Sequence, residues 1–85
     1  MDNYIEINEY DMLLNIFRFI RDYDTHTYTL PSVCRLLIKH LEGEGYHAEI
    51  VDTEHRDCKI IRVETQRYKI VRNKGWSTYE VIMTA

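Results

Sequence analysis

The sequence predicts an α+β domain: two N-terminal helices packed on one face of a four-stranded antiparallel sheet, in the order ααββββ. Three observations predict it. Residues 58–83, CKIIRVETQRYKIVRNKGWSTYEVIM, read as three strands that alternate apolar and polar side chains around two turn-like breaks. Two earlier stretches repeat apolar residues at spacings of three and four, the period of an amphipathic helix. Between them and the three strands, Tyr46 to Asp52 alternates again and supplies a fourth strand.

Met1 to Ile7 ends in an alternating Tyr4-Ile5-Glu6-Ile7 and is open between an extra edge strand and an arm. Asn8 has the chemistry of a helix N-cap, with Asp11 at the third helical position and Ile7 placed to pack onto Met12. The helix is expected to run to about Tyr23, burying Leu13, Ile16, Phe17, Ile20 and Tyr23. Leu14 and Phe19 lie beside that stripe and make it wider than one buried face needs, which points to burial on two sides.

Asp24 to Thr29 is polar and reads as a loop. Pro31 suits the first turn of a second helix, capped by Thr29 or Ser32, whose stripe is Val33, Leu36, Leu37, His40 and Leu41. Gly43 and Gly45 stop it, and the Tyr46–Asp52 strand puts Tyr46, Ala48 and Ile50 on one side. Thr53 to Asp57 is a charged loop leading into the three-strand stretch.

Alternation sets the expected register. A two-residue loop at Thr65-Gln66 pairs Val63 with Tyr68 and Ile61 with Ile70. A loop at Lys74-Gly75, with glycine supplying the positive φ, pairs Ile70 with Tyr79 and Tyr68 with Val81. One face then carries Ile61, Val63, Tyr68, Ile70, Tyr79 and Val81. The other carries Arg62, Glu64, Arg67, Lys69, Thr78 and Glu80, with Ile60, Val71 and Ile82 among them.

The 85 residues make one domain, 1–85, with 45% hydrophobic and 29% charged residues, a globular rather than a disordered composition. Two cysteines, Cys34 and Cys58, build no disulfide framework, and no signal-peptide pattern or long apolar run is present. The expectation is a cytoplasmic protein with reduced thiols and no cofactor. The net charge of −3 is uneven. Residues 1–24 hold six acids against Arg18 and Arg21, whereas residues 55–85 hold seven bases against Asp57, Glu64 and Glu80.

Several residues invite chemistry. Arg62, Arg67 and Lys69, with Arg72 and Lys74 near the edges, form a basic sheet face that suits nucleic-acid phosphates, though the paired aromatics of base-stacking sheets are missing. The same charges equally serve a solvated face that resists edge pairing. His55 and Cys58 are spaced like half a zinc site, but Cys34, His40 and His47 do not complete it on one helix face. Asp52 and Glu64 on adjacent strands faintly echo a metal-dependent hydrolase, with Gln66 where such a site carries a lysine. Cys34 sits beside the buried stripe of its helix, where thiols are inert, and Gly43-Glu44-Gly45 follows a helix and so stops it rather than cradling phosphate.

The aromatics carry the strongest functional signal. Seven tyrosines, one tryptophan and two phenylalanines exceed what a core of this size holds. The core uses Phe17, Tyr68 and Tyr79, which leaves Tyr10, Tyr23, Tyr28 and Trp76 as candidate protein-binding residues, rimmed by acids that suit a basic partner. The sequence therefore favours a small non-enzymatic protein-binding module, an adaptor or an inhibitor of the phage type, with a self-pairing sheet edge offering a homodimer. The alternatives are a nucleic-acid binder on the basic sheet face and a metal-dependent hydrolase.

Overall fold

The computed structural model describes residues 6–51, 55–73 and 75–84. Two helices precede a four-stranded antiparallel sheet in the order β1-β2-β3-β4, with both helices on one face. Helix α1 spans Glu9–Ile20 and α2 spans Leu30–Gly43; the strands are β1 Ala48–Val51, β2 Cys58–Val63, β3 Gln66–Asn73 and β4 Thr78–Met83. Of the Met1–Ile7 stretch, open in the sequence between an edge strand and an arm, Glu6 and Ile7 are in no strand and the rest lies outside the described residues.

Each helix starts where its cap is. The Asn8 side chain accepts from the amides of Tyr10 (3.0 Å) and Asp11 (3.1 Å), satisfying two of the otherwise orphaned first-turn donors. Thr29 does the same for Ser32 at 3.3 Å, with Pro31 in the first turn of α2. Helix α1 ends at Ile20, one turn earlier than the apolar spacing implies, and Tyr23 lies in the turn that follows. Gly45, at φ 96, takes the left-handed position that lets the chain leave α2, and Tyr46 N–H reaches back to Leu41 O.

The core lies between the helices and the sheet. Met12, Ile16 and Ile20 of α1 and Val33, Cys34, Leu37 and Leu41 of α2 meet Ile61, Val63, Tyr68, Ile70 and Tyr79. Each fully buried aliphatic side chain of this kind contributes roughly 1.5–3 kcal/mol. Both buried tyrosines find acceptors for their hydroxyls: Tyr68 donates to Glu9 O at 2.9 Å and Tyr79 to Tyr28 O, so sheet and helix ends are tied by hydrogen bonds as well as packing. The helices are joined by a polar cluster in which Asn15 donates to Glu44 (2.9 Å), and His40 contacts Asn15 (3.2 Å) and stacks on Phe19.

The six residues expected on the inner sheet face are there, with Val81 half-buried, but the pairing differs. Ile61 lies opposite Tyr68 and Ile70 opposite Val81. Both hairpins are slipped by two residues from the expected register, in opposite directions, and a two-residue slip returns every side chain to its own face. The first loop is Glu64-Thr65, with Glu64 at φ 56 in the first central position, as hairpin turns require. In the second, between Asn73 and Thr78, Ser77 carries a positive φ of 58, and Thr25 N–H donates to its carbonyl at 3.1 Å.

Three burial expectations are corrected. Phe17 is not core: Met12, Ile16 and Ile20 take the inner positions at spacings of four, and Phe17 falls on the flank, 44% exposed. Leu36 likewise faces outward on α2. Glu64, expected on the outer charged face, is 1% exposed. Its carboxylate accepts the His47 N–H at 2.6 Å and lies 3.2 Å from His47 Nδ1, so the acid serves as a clamp between the first hairpin turn and the start of β1.

Candidate functional site

Three of the expected basic residues share the outer sheet face, with Arg62 opposite Arg67 and Lys69 two residues further along β3 on the same side. Arg62 is taken by the Glu49 carboxylate on β1. Arg72 pairs with Tyr79 on the helix side, and its guanidinium donates to Thr25 O at 3.1 Å, closing the α1–α2 loop onto the sheet. Lys74 lies outside the described residues. Lys69 is flanked in register by Ile60 and Ile82, so the middle of the outer face is aliphatic around one ammonium group.

The other chemical candidates are also placed. Cys34 is fully buried under α2, and burial pushes its thiol up to about 11. Cys58 is half-buried, opposite Val71 on β3. His55 Nδ1 accepts the Asp57 N–H at 3.1 Å. Asp52, the proposed partner of Glu64, lies outside the described residues, among which no group of three or more His, Cys, Asp or Glu is placed to hold a metal ion. Nor is any helix among them long and apolar enough to cross a membrane.

The four candidate aromatics divide between two ends of α1. Tyr10 stands in its first turn, 65% exposed, near Glu6, Glu9 and the Thr65-Gln66 end of the first hairpin. Tyr23 and Tyr28 meet edge to face at 4.8 Å at the opposite end, and Tyr23 also packs on Phe19. Trp76, 78% exposed, projects from the β3–β4 connection, beside the Thr25–His26 loop that bonds to Ser77. Tyr10 and Ile20, the last residue of α1, are about 15 Å apart along the helix axis by its rise per residue, and Tyr23 lies beyond that end. The four are therefore not one patch.

Tyr10 instead continues into a row made with Leu14, which the sequence set beside the buried stripe, and Phe17, which it set within it. Leu14 and Phe17, each 44% exposed, follow Tyr10 at spacings of four and three. At about 100° per residue these three share one stripe, away from Asn15 and Phe19, which face α2. Because the inner stripe packs on the sheet and contacts β4, the outer stripe lies on the β4-side flank of the domain. The excess width of the apolar face of α1 was the sequence signal for it.

The opposite flank differs. A groove of about 580 Å³ runs over α2 to the edge strand β1. Leu36, Ile38, Ile50 and the Tyr28 ring supply apolar lining, and Arg35 and Lys39, one turn apart, are its charged groups. Neither cation has a salt-bridge partner among the described residues.

No protein-family profile and no curated protein matches this sequence, and no solved structure matches this fold.

Proposed function

We propose that this chain is a small non-enzymatic protein-binding module, an adaptor or inhibitor, that docks through the outer stripe of α1. One observation carries the reading: Tyr10, Leu14 and Phe17 are aligned at helical spacing and turned to water, on a helix whose inner stripe already fills the core. Apolar residues scattered singly over a surface need no explanation, but a row at i, i+4 and i+7 is what a helix presents to a partner's groove. Tyrosine and phenylalanine bury large area with few rotors to freeze, which suits them as anchors. Glu6, Glu9 and Asp11 surround Tyr10 at the helix N-terminus and favour a partner that is basic at that end. Trp76 and the Tyr23–Tyr28 pair lie beyond the other end of α1, apart from this row.

The test is quantitative capture from extract of the native cells, after nuclease treatment, with wild-type protein and a Leu14→Asp/Phe17→Asp variant. One protein held in stoichiometric amount by the wild type, and at least tenfold less by the folded variant, is the expected result. Equal capture by both excludes the α1 stripe. Capture that disappears with nuclease would return the function to Arg67 and Lys69 on the outer sheet face.

A further inference from the structure

The groove on the opposite flank has a composition of its own. Among the described residues its lining is apolar except for Arg35 and Lys39, Ser32 and the Tyr28 hydroxyl, and it opens at β1, an edge strand of the sheet. The backbone of that edge is also oriented. Glu64 N–H donates to His47 O at 2.8 Å, which makes His47 and Glu64 a hydrogen-bonded pair. Alternation in an antiparallel ladder then turns Glu49 and Val51 toward β2 and leaves the N–H and C=O of Ala48 and Ile50 pointing out from the edge. Ile50 lies opposite Ile61, so its side chain is on the helix side, in the groove. One residue thus offers both an open backbone pair and an apolar contact.

We propose that this flank is a second docking site, which accepts an extended acidic segment of a partner protein as a fifth strand along β1. The inference rests on the protein-binding reading and adds a different surface and a different partner chemistry. Backbone pairing to Ala48 and Ile50 holds the segment, and an apolar side chain on its helix side fills the lining beside Ile50 and Ile38. Carboxylates at neighbouring helix-side positions, two residues along, meet Arg35 and Lys39. Charge decides against a symmetric second copy in the same place. An isologous β1–β1 pair would bring Arg35 and Lys39 toward the same two cations of its mate, with no carboxylate among the described residues of the groove lining to separate them.

The experiment is selection of a displayed random dodecapeptide library on the immobilised full chain. Parallel selections use an Arg35→Glu/Lys39→Glu variant and, should that variant not fold, Arg35→Gln/Lys39→Gln. The expected result is enrichment of peptides with an apolar residue two positions from an acid. Their affinity should fall about tenfold or more on the reversed variant, which should instead enrich basic peptides. Amide hydrogen exchange at Ala48 and Ile50 should slow when a selected peptide is bound. Peptides without acidic preference, peptides that bind the reversed variant equally, unchanged exchange at Ala48 and Ile50, or no enrichment would each overturn the proposal. So would light scattering that shows the chain assembling head to tail through this groove, since the occupant would then be a second copy. Peptides lost on Leu14→Asp/Phe17→Asp but kept on Arg35→Glu/Lys39→Glu would overturn the groove alone and leave the α1 reading standing.

Discussion

The two flanks of the domain are built alike and finished differently. On each, a helix buries one stripe against an edge half of the sheet: α1 toward β4, α2 toward β1 and β2. The inner stripes are interchangeable in chemistry, Ile16 and Ile20 on one helix, Leu37 and Leu41 on the other. The outer surfaces are not. The α1 flank shows a row of Tyr10, Leu14 and Phe17 ending among acids, and the α2 flank shows Leu36 and Ile50 with Arg35 and Lys39. Folding accounts for what the two flanks share. Their difference lies in the exposed chemistry, and the two docking proposals rest on it.

The comparison breaks first if the inner and outer stripes cost the same. Ile16→Ala and Leu37→Ala should each lose about 2–5 kcal/mol in urea unfolding, because both side chains are fully enclosed and leave cavities. A loss of similar size from Phe17→Ala would make that ring core and remove the α1 surface.

Glu64→Ala tests what holds the β1 edge in place. It removes a carboxylate bonded to the His47 amide and should cost about 1–3 kcal/mol. Hydrogen exchange should quicken in β1 before β4. Uniform acceleration across the sheet would show that Glu64 is not specific to that flank.

Alkaline titration separates the flanks by their buried acids. Burial raises the Cys34 thiol from 9.0 to about 11 and the Tyr68 phenol from 10.0 to about 12. A raised folded-state pKa means that the unfolded chain loses its proton first, so stability is complete below pH 9 and falls as pH rises through 9–12. Cys34→Ala should remove the part of the fall that starts near pH 9, and Tyr68→Phe the part that starts near pH 10, as read by Tm against pH. A profile unmoved by either variant would contradict the assignment.

Caps and outer residues give the smallest effects. Asn8 bonds two amides of α1 and Thr29 one of α2, so Asn8→Ala should cost about 1–2 kcal/mol and Thr29→Ala about 0.5–1 kcal/mol. Leu14→Ser and Leu36→Ser should each change stability by about 0.5 kcal/mol or less, like ordinary surface substitutions.

The architecture was legible because it rests on parity and period. The inner set Ile61, Val63, Tyr68, Ile70 and Tyr79 follows from alternation alone and survives a two-residue slip of both hairpins. The slip itself was not legible. Thr65-Gln66 has no residue that favours positive φ, and the chain instead puts Glu64 there, at φ 56, because its carboxylate gains the His47 bonds. Nothing in the sequence near Glu64 announces a partner 17 residues upstream.

The site was half legible. Surplus aromatics drew attention to Tyr10, Tyr23, Tyr28 and Trp76, but composition carries no distances, and the structure parts Tyr10 from the other three. Phe17 was misplaced because the 3-4 pattern of α1 fits two overlapping stripes, and only the sheet beneath decides which faces inward. On the sheet, alternation placed Arg62, Arg67 and Lys69 on one face, but it cannot show that Glu49 holds Arg62 or that Arg72 reaches across to Thr25.

The central claim is that the outer stripe of α1 is a docking surface for a protein. Its most direct test is site-specific photocrosslinking in native cell extract, with a photoreactive phenylalanine analogue replacing Phe17 on α1 or, as control, Lys69 on the outer sheet face. The account predicts one dominant crosslinked protein from position 17 and none in common with position 69. No crosslink from position 17, or the same products from both positions, would contradict it.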